Sequence, residues 1–187
     1  MFSRILIKLV DEAIFPAILL LASRLISMFV VSRFLHANYD INANGIIFVN
    51  LSDYLKVNSY STLIMILILA IGLLFIILKS FIFHDSHISP GFSAKIYSLK
   101  MPSLIQSSFD IYSQGTIWLS YIYLILIVAS FMTLFGMLYS WVLFVAVITT
   151  VISTALFVMD IENEVKINKS KEVEYDSDSK YLEREEV

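Results

Sequence analysis

The chain has 187 residues, of which 58% are hydrophobic and 16% charged, and a mean hydropathy of +0.81. Soluble domains carry about a quarter charged residues, so this composition argues against one. Cysteine is absent, which removes disulfides, thiolate metal sites and cysteine nucleophiles. The formal charge of −3 hides an asymmetry: residues 160–187 hold ten acids against five bases, and the rest six against eight.

The apolar excess falls in four runs, Ala13–Leu35, Ser61–Phe83, Thr116–Leu138 and Ser140–Met159. Each has about the 20 residues an α-helix needs to cross a ~30 Å hydrocarbon core. The runs are continuous, without the period-two alternation of a barrel strand, so helices are expected. The predicted fold is an all-α membrane protein with four transmembrane helices over 13–35, 61–83, 116–138 and 140–159, forming one domain over 1–159.

Residues 1–12 are mildly amphipathic and either lie on the membrane surface or extend the first helix. That helix is too long for a signal peptide and lacks a small-residue cleavage site, so it is expected to be retained. Pro16 lies early in it, where a kink is tolerable. The loop from His36 to Tyr60 contains the turn dipeptide Asn44-Gly45, then Gly45 to Leu51 as a short strand or apolar flap, then a helical turn from Ser52. The second span carries almost no polar side chain beyond Ser61 and Thr62, and is expected to face lipid over much of its surface.

In the next loop, Ser89-Pro90 reads as an N-cap with proline at the first helical position. A short helix is predicted from Pro90 to Lys100. A second follows the capping box Ser103 to Gln106 and runs up to Gly115, either as a separate helix or continuous with the third span. Both are expected at the membrane interface, with Lys95 and Lys100 toward anionic head groups. The third and fourth spans are separated only by residues 136–141 and must form a tight hairpin. No repeat relates the two halves, so an inverted-repeat transporter is not supported. Residues 160–187 read as an acidic, largely disordered tail.

Lys and Arg number ten in the first segment, the second loop and the tail, against two, Arg33 and Lys56, on the opposite side. The bias predicts that both termini are cytoplasmic, in the plasma membrane.

Arg24 is the most informative residue, because an arginine at the centre of a span costs roughly 2.5–3.5 kcal/mol on insertion scales. Glu12, Ser23, Arg24 and Ser27 define one polar face of the first helix. No Asp or Glu lies within the other three spans. Hydroxyl partners are offered by Thr116, Ser120, Tyr123 and Ser130 on the third helix and by Thr149, Thr150 and Ser153 on the fourth. Three readings follow. Arg24 is solvated by hydroxyls and water; or it pairs with an acidic residue of another membrane protein; or it contacts an anionic ligand or lipid phosphate.

A second constellation, His84-Asp85-Ser86-His87, follows the second span. With Glu12 at the same expected depth, His84 and His87 make a two-histidine, one-carboxylate metal site geometrically feasible. A helix cap among lipid head groups is the plainer reading. No catalytic residue or cofactor motif is identified, and the basic residues form no stripe that would suit nucleic acid.

Three function classes are therefore in view. The first is a non-enzymatic subunit or scaffold of a membrane complex, with Arg24 pairing to a partner. The second is a small transporter, channel or lipid-binding protein that self-associates. The third is a membrane-embedded metalloenzyme using His84, His87 and Glu12. Beyond the lipid bilayer, the expected partner is another membrane protein with an intramembrane acidic residue, or a second copy.

Overall fold

The computed structural model describes residues 2–42, 45–84, 88–101, 104–105 and 107–185, with backbone alone for 2–6, 8–9, 90, 168 and 170–185. Its elements are α1 (Phe2–Phe34), β1 (Tyr39–Asn42), β2 (Gly45–Phe48), α2 (Leu51–Phe83), α3 (Pro90–Ser98), α4 (Ser108–Leu134) and α5 (Ser140–Glu185). Four helices are long and apolar enough to cross a membrane, over Val10–Phe34, Leu51–Phe83, Ser108–Leu134 and Ser140–Ile167. The chain is a multi-pass membrane protein built as a helical bundle.

Helix α2 is the centre of the bundle, and it still leaves Leu67, Ile71, Leu74, Phe75, Leu78 and Phe81 exposed on the outer surface, as the sequence leads one to expect. It packs against α1, α4 and α5, and α1 also meets α4. Its buried residues include Ser59, Thr62, Ile66, Leu69, Leu73, Ile76 and Ser80. Their spacing alternates three and four, which keeps one seam facing the partners as in a left-handed coiled coil. Helix α4 repeats the pattern with Ile111, Gly115, Trp118, Ile122, Ile125 and Ala129. The core between them is closed by Val142 and Ala146 of α5 and by Leu20 of α1.

Two glycines set the helix separations. A Cβ on Gly72 would fall inside the indole of Trp118, and one on Gly115 inside the ring of Phe157. Small residues of this kind let membrane helices approach closely, where van der Waals packing is the main attraction. Away from the seam the surface is apolar: Phe15, Leu21, Phe75, Phe81, Phe144 and Val151 are all exposed. Such a continuous apolar surface suits lipid.

The ends of the helices differ from the sequence expectation in instructive ways. Helix α2 begins at Leu51, well ahead of residue 61, so the helical turn expected at Ser52 is its start. Helix α1 runs through the amphipathic first segment. In the long loop, α3 occupies the place of the first expected interfacial helix. The second is not separate, because from Ser108 onward it forms the opening turns of α4. Ser107 caps α4, its hydroxyl accepting the Asp110 amide at 3.4 Å. Pro102, Ser103 and Gln106 lie outside the described residues. Helix α5 continues as backbone helix to Glu185, through the segment read as an acidic tail.

Helices α4 and α5 are joined by residues 135–139. The Met137 amide donates to the Met132 carbonyl at 2.8 Å, and the Gly136 amide to Thr133 at 3.0 Å. This is a Schellman close, and Gly136 supplies the left-handed residue it needs, at φ 67°. At the same end of the bundle β1 and β2 form an antiparallel hairpin, pairing Tyr39 with Phe48 and Ile41 with Ile46. The hairpin is tied to α2 by the Phe48–Tyr54 ring contact and by the Asn38 amide donating to Asp53 Oδ2 at 3.4 Å. Asn44 of the expected turn lies outside the described residues; Gly45 beside it has φ 114°.

Candidate functional site

Arg24 reaches toward α2, where the chain presents Asn58, Ser61 and Thr62. These three are spaced i, i+3, i+4 and so share one face. All three are buried. Arg24 Nη1 donates to Ser61 Oγ at 2.6 Å, Thr62 Oγ1 at 3.2 Å and the Asn58 carbonyl at 3.5 Å. Nη2 donates to Asn58 Oδ1. The Ser61 and Thr62 hydroxyls turn their own protons to the Asn58 carbonyl, at 3.1 and 2.8 Å, leaving their lone pairs for the guanidinium.

Asn58 carries the contact further. Its Nδ2 donates to the Met137 carbonyl at 2.5 Å, and beside it the Tyr139 amide donates to Ser59 Oγ at 3.1 Å. One polar network thus links α1, α2 and the α4–α5 turn, and the guanidinium lies toward the turn end of the bundle, not midway along it as its position in the first apolar run suggests. The other members of the predicted polar face behave differently. Ser23 and Ser27 are buried but bond their own helix, to the Leu20 and Arg24 carbonyls at 2.8 and 3.1 Å. Glu12 lies toward α4, accepting from Ser113 Oγ at 2.9 Å and Gln114 Nε2 at 3.5 Å.

The hydroxyls expected around Arg24 are occupied elsewhere. Ser120, Ser130 and Thr150 donate to the carbonyls of Thr116, Leu126 and Ala146. Tyr123 pairs with Thr154 at 3.0 Å. Among the described residues, Thr116, Thr149 and Ser153 make no bond to Arg24 either.

A guanidinium has five N–H donors. Among the described residues, Nε and the second Nη2 hydrogen have no acceptor, and no carboxylate forms an ion pair with Arg24. The acceptors it does have are neutral, so its charge is solvated without being cancelled.

At the opposite end of the bundle a second polar cluster joins α2 to α5. Ser80 Oγ donates to Asp160 Oδ2 at 3.0 Å. His84 Nδ1 lies 3.5 Å from Glu164 Oε1, with both side chains buried. Tyr112 of α4 lies tilted beside His84 and meets Phe157 edge to face. Asp160 and Glu164 are one helical turn apart, and their contacts to Ser80 and His84 tie the far end of the α5 span to α2.

The predicted metal triad does not assemble. His84 pairs with Glu164 and Glu12 with Ser113. Among the described residues no group of three His, Asp or Glu could hold a metal ion. Asp85, Ser86 and His87 lie outside the described residues. The metalloenzyme reading is left without support. The cluster's part is structural: Glu164→Gln is expected to lower the hydrogen-exchange protection of α5 around residues 160–166 by about tenfold, ~1.4 kcal/mol for a weakened charge-assisted contact. Protection equal to wild type there would show that α5 is held by other contacts.

Comparison with protein-family models, curated proteins and solved structures finds no match. What fold and site define is a class: a multi-pass membrane protein of four long apolar helices, with a buried His–Glu pair and a charged arginine held by neutral groups.

Proposed function

We propose that the chain is a non-enzymatic subunit or scaffold of a membrane complex, and that Arg24 pairs within the membrane with an acidic group of a partner protein. The observation that carries this reading is the state of the guanidinium: it is positioned by four neutral contacts, yet uncancelled in charge and with two N–H donors left over. A carboxylate accepting from those two donors would form a charge-assisted fork. Leu21 and Leu25, which flank Arg24 on α1, are exposed, so a partner helix has room to approach.

The end of α1 and the start of α2 support the same reading. Asn58 is level with the α4–α5 turn through its bond to Met137, so α2 from Leu51 to Asn58 reaches about 10 Å past that turn at 1.5 Å per residue. The apolar side chains of Phe34, Val49 and Leu51 are exposed there. A solvated end would not favour them, and a partner would cover them. The ten Lys and Arg gathered on the termini side support cytoplasmic termini in the plasma membrane.

The test is affinity purification of wild type, Arg24→Lys and Arg24→Met from native membranes in mild detergent. A partner bearing an intramembrane Asp or Glu should accompany wild type, be weakened by Lys and be lost with Met. Equal recovery of the same proteins with all three chains would end the pairing assignment.

A further inference from the structure

A groove of about 580 Å³ opens between α1, α2 and α4 on the bundle surface, at the end opposite the β-hairpin. That volume lies within the range of small-molecule sites. Its walls are Phe15 and Leu19 of α1, Ile68, Ile71 and Phe75 of α2, and Trp118 of α4. Gly72 makes the floor, since only its missing side chain lets the Trp118 indole lie against α2. Phe15 packs on the same indole with ring centroids 6.3 Å apart. The groove is therefore a shaped apolar slot, not a gap left by loose packing.

One end of the slot is chemically different. Glu12 and Gln114 line it there. The Glu12 carboxylate is fixed by Ser113 Oγ on one oxygen and Gln114 Nε2 on the other. Both donors are neutral, and among the described residues no Lys, Arg or His forms an ion pair with Glu12. Glu12, Ser113 and Gln114 stand near the termini-side ends of the spans Val10–Phe34 and Ser108–Leu134, and the slot runs from them toward mid-span, so the carboxylate is expected at head-group depth and the slot in the acyl region.

From this juxtaposition we infer that the groove is a binding site for an amphiphile with a primary ammonium head and an acyl chain, an aminophospholipid of the leaflet on the termini side. The ammonium sits at Glu12 and donates to the carboxylate lone pairs that Ser113 and Gln114 leave unused, while one chain lies along Phe15, Leu19, Ile71 and Phe75. Charge complementarity selects the occupant: a zwitterion with three N–H donors matches a lone carboxylate, and an anionic head group is repelled by it. The site is separate from Arg24 and stands whether or not Arg24 has a partner.

The experiment titrates the purified, delipidated full chain with dioleoyl phosphatidylethanolamine, phosphatidylcholine or phosphatidylglycerol, counting bound lipid by native mass spectrometry. Phosphatidylethanolamine is expected to bind about tenfold more tightly than phosphatidylglycerol. Glu12→Gln, which keeps an acceptor for Ser113, should erase that preference while leaving the thermal unfolding of the chain unchanged. Ile71→Trp should fill the slot and abolish the preferred site. Val151→Trp, in a groove of similar size between α4 and α5 lined by Tyr123, Thr150 and Thr154 but no charged residue, should leave it intact. Equal binding of the three lipids to wild type, or an ethanolamine preference that survives Glu12→Gln, overturns the inference. Competition by free ethanolamine at the concentration of the lipid would show that the site reads an amine alone and would overturn the acyl-chain part.

Discussion

Replacing Asn58 by leucine is expected to destabilise the bundle by ~3 kcal/mol, more than replacing Arg24 itself. Asn58 is buried and works in two directions, its Oδ1 accepting from Arg24 and its Nδ2 donating to the Met137 carbonyl. Leucine leaves a guanidinium short of an acceptor and a turn carbonyl short of its donor. A hydrogen bond to a charged group contributes ~1.5–3 kcal/mol, and leaving a half-buried charge short of partners is costlier than removing it. Arg24→Met takes the charge away together with its demand for partners, and is expected to cost only ~1 kcal/mol, near the upper range of single interhelical hydrogen bonds in membranes. The double variant should then be more stable than Asn58→Leu alone. Unfolding in mixed micelles of all four chains checks the order; Arg24→Met proving as harmful as Asn58→Leu would mean that the arginine holds the bundle together and is not merely accommodated by it.

The second large effect is at Gly72. A valine there places its branched Cβ inside the Trp118 ring, which must leave its seat on α2 and push against Phe15 and into the groove beside it. Overpacking of this kind typically costs ~1–3 kcal/mol, and Gly72→Val should reach the top of that range because the ring is large and the obstacle is backbone-fixed. Trp118→Leu should relieve the clash, so the pair loses less than the sum of its members. In a Trp141→Phe background the remaining indole is Trp118, since the chain has two tryptophans, and its emission should shift when Gly72→Val expels it. Unchanged emission and stability would show that α2 and α4 are not in the contact described.

What was legible in the sequence and what was not separates along physical lines. The four spans were visible because lipid demands uninterrupted apolar length, and run length needs no tertiary knowledge. The centrality of α2 was hidden by the same property. A helix apolar all round gives no periodicity to read, so its three-and-four seam from Ser59 to Ser80 appears only once neighbours are in place. Its start was missed because Asp53, Lys56, Asn58 and Ser59 interrupt the apolar run and look like loop. The spacing of Asn58, Ser61 and Thr62 on one helical face was the available signal for the Arg24 site.

Arg24 and Glu12 stand out in the sequence as polar residues on a mostly apolar helix, but helix count alone does not assign their partners. His84 was matched with Glu12 on expected depth, whereas it meets Glu164. Glu164 falls in a segment whose acidity reads as a solvated tail, yet its side chain is buried. Asp160 and Glu164, one turn apart and just after the apolar run that ends at Met159, are spaced as on a helix that continues with one face still packed.

The central claim, that the uncancelled charge of Arg24 is met by a partner's acid, is tested most directly by photocrosslinking in intact membranes. A photoreactive amino acid is placed at Leu21 or Leu25, beside Arg24, and at Phe144 on α5 as a remote control. The account predicts a protein adduct of one defined mass from Leu21 or Leu25, absent from Phe144 and abolished by Arg24→Met. Adducts to lipid alone from all three positions, or a protein adduct that persists in Arg24→Met, would contradict it.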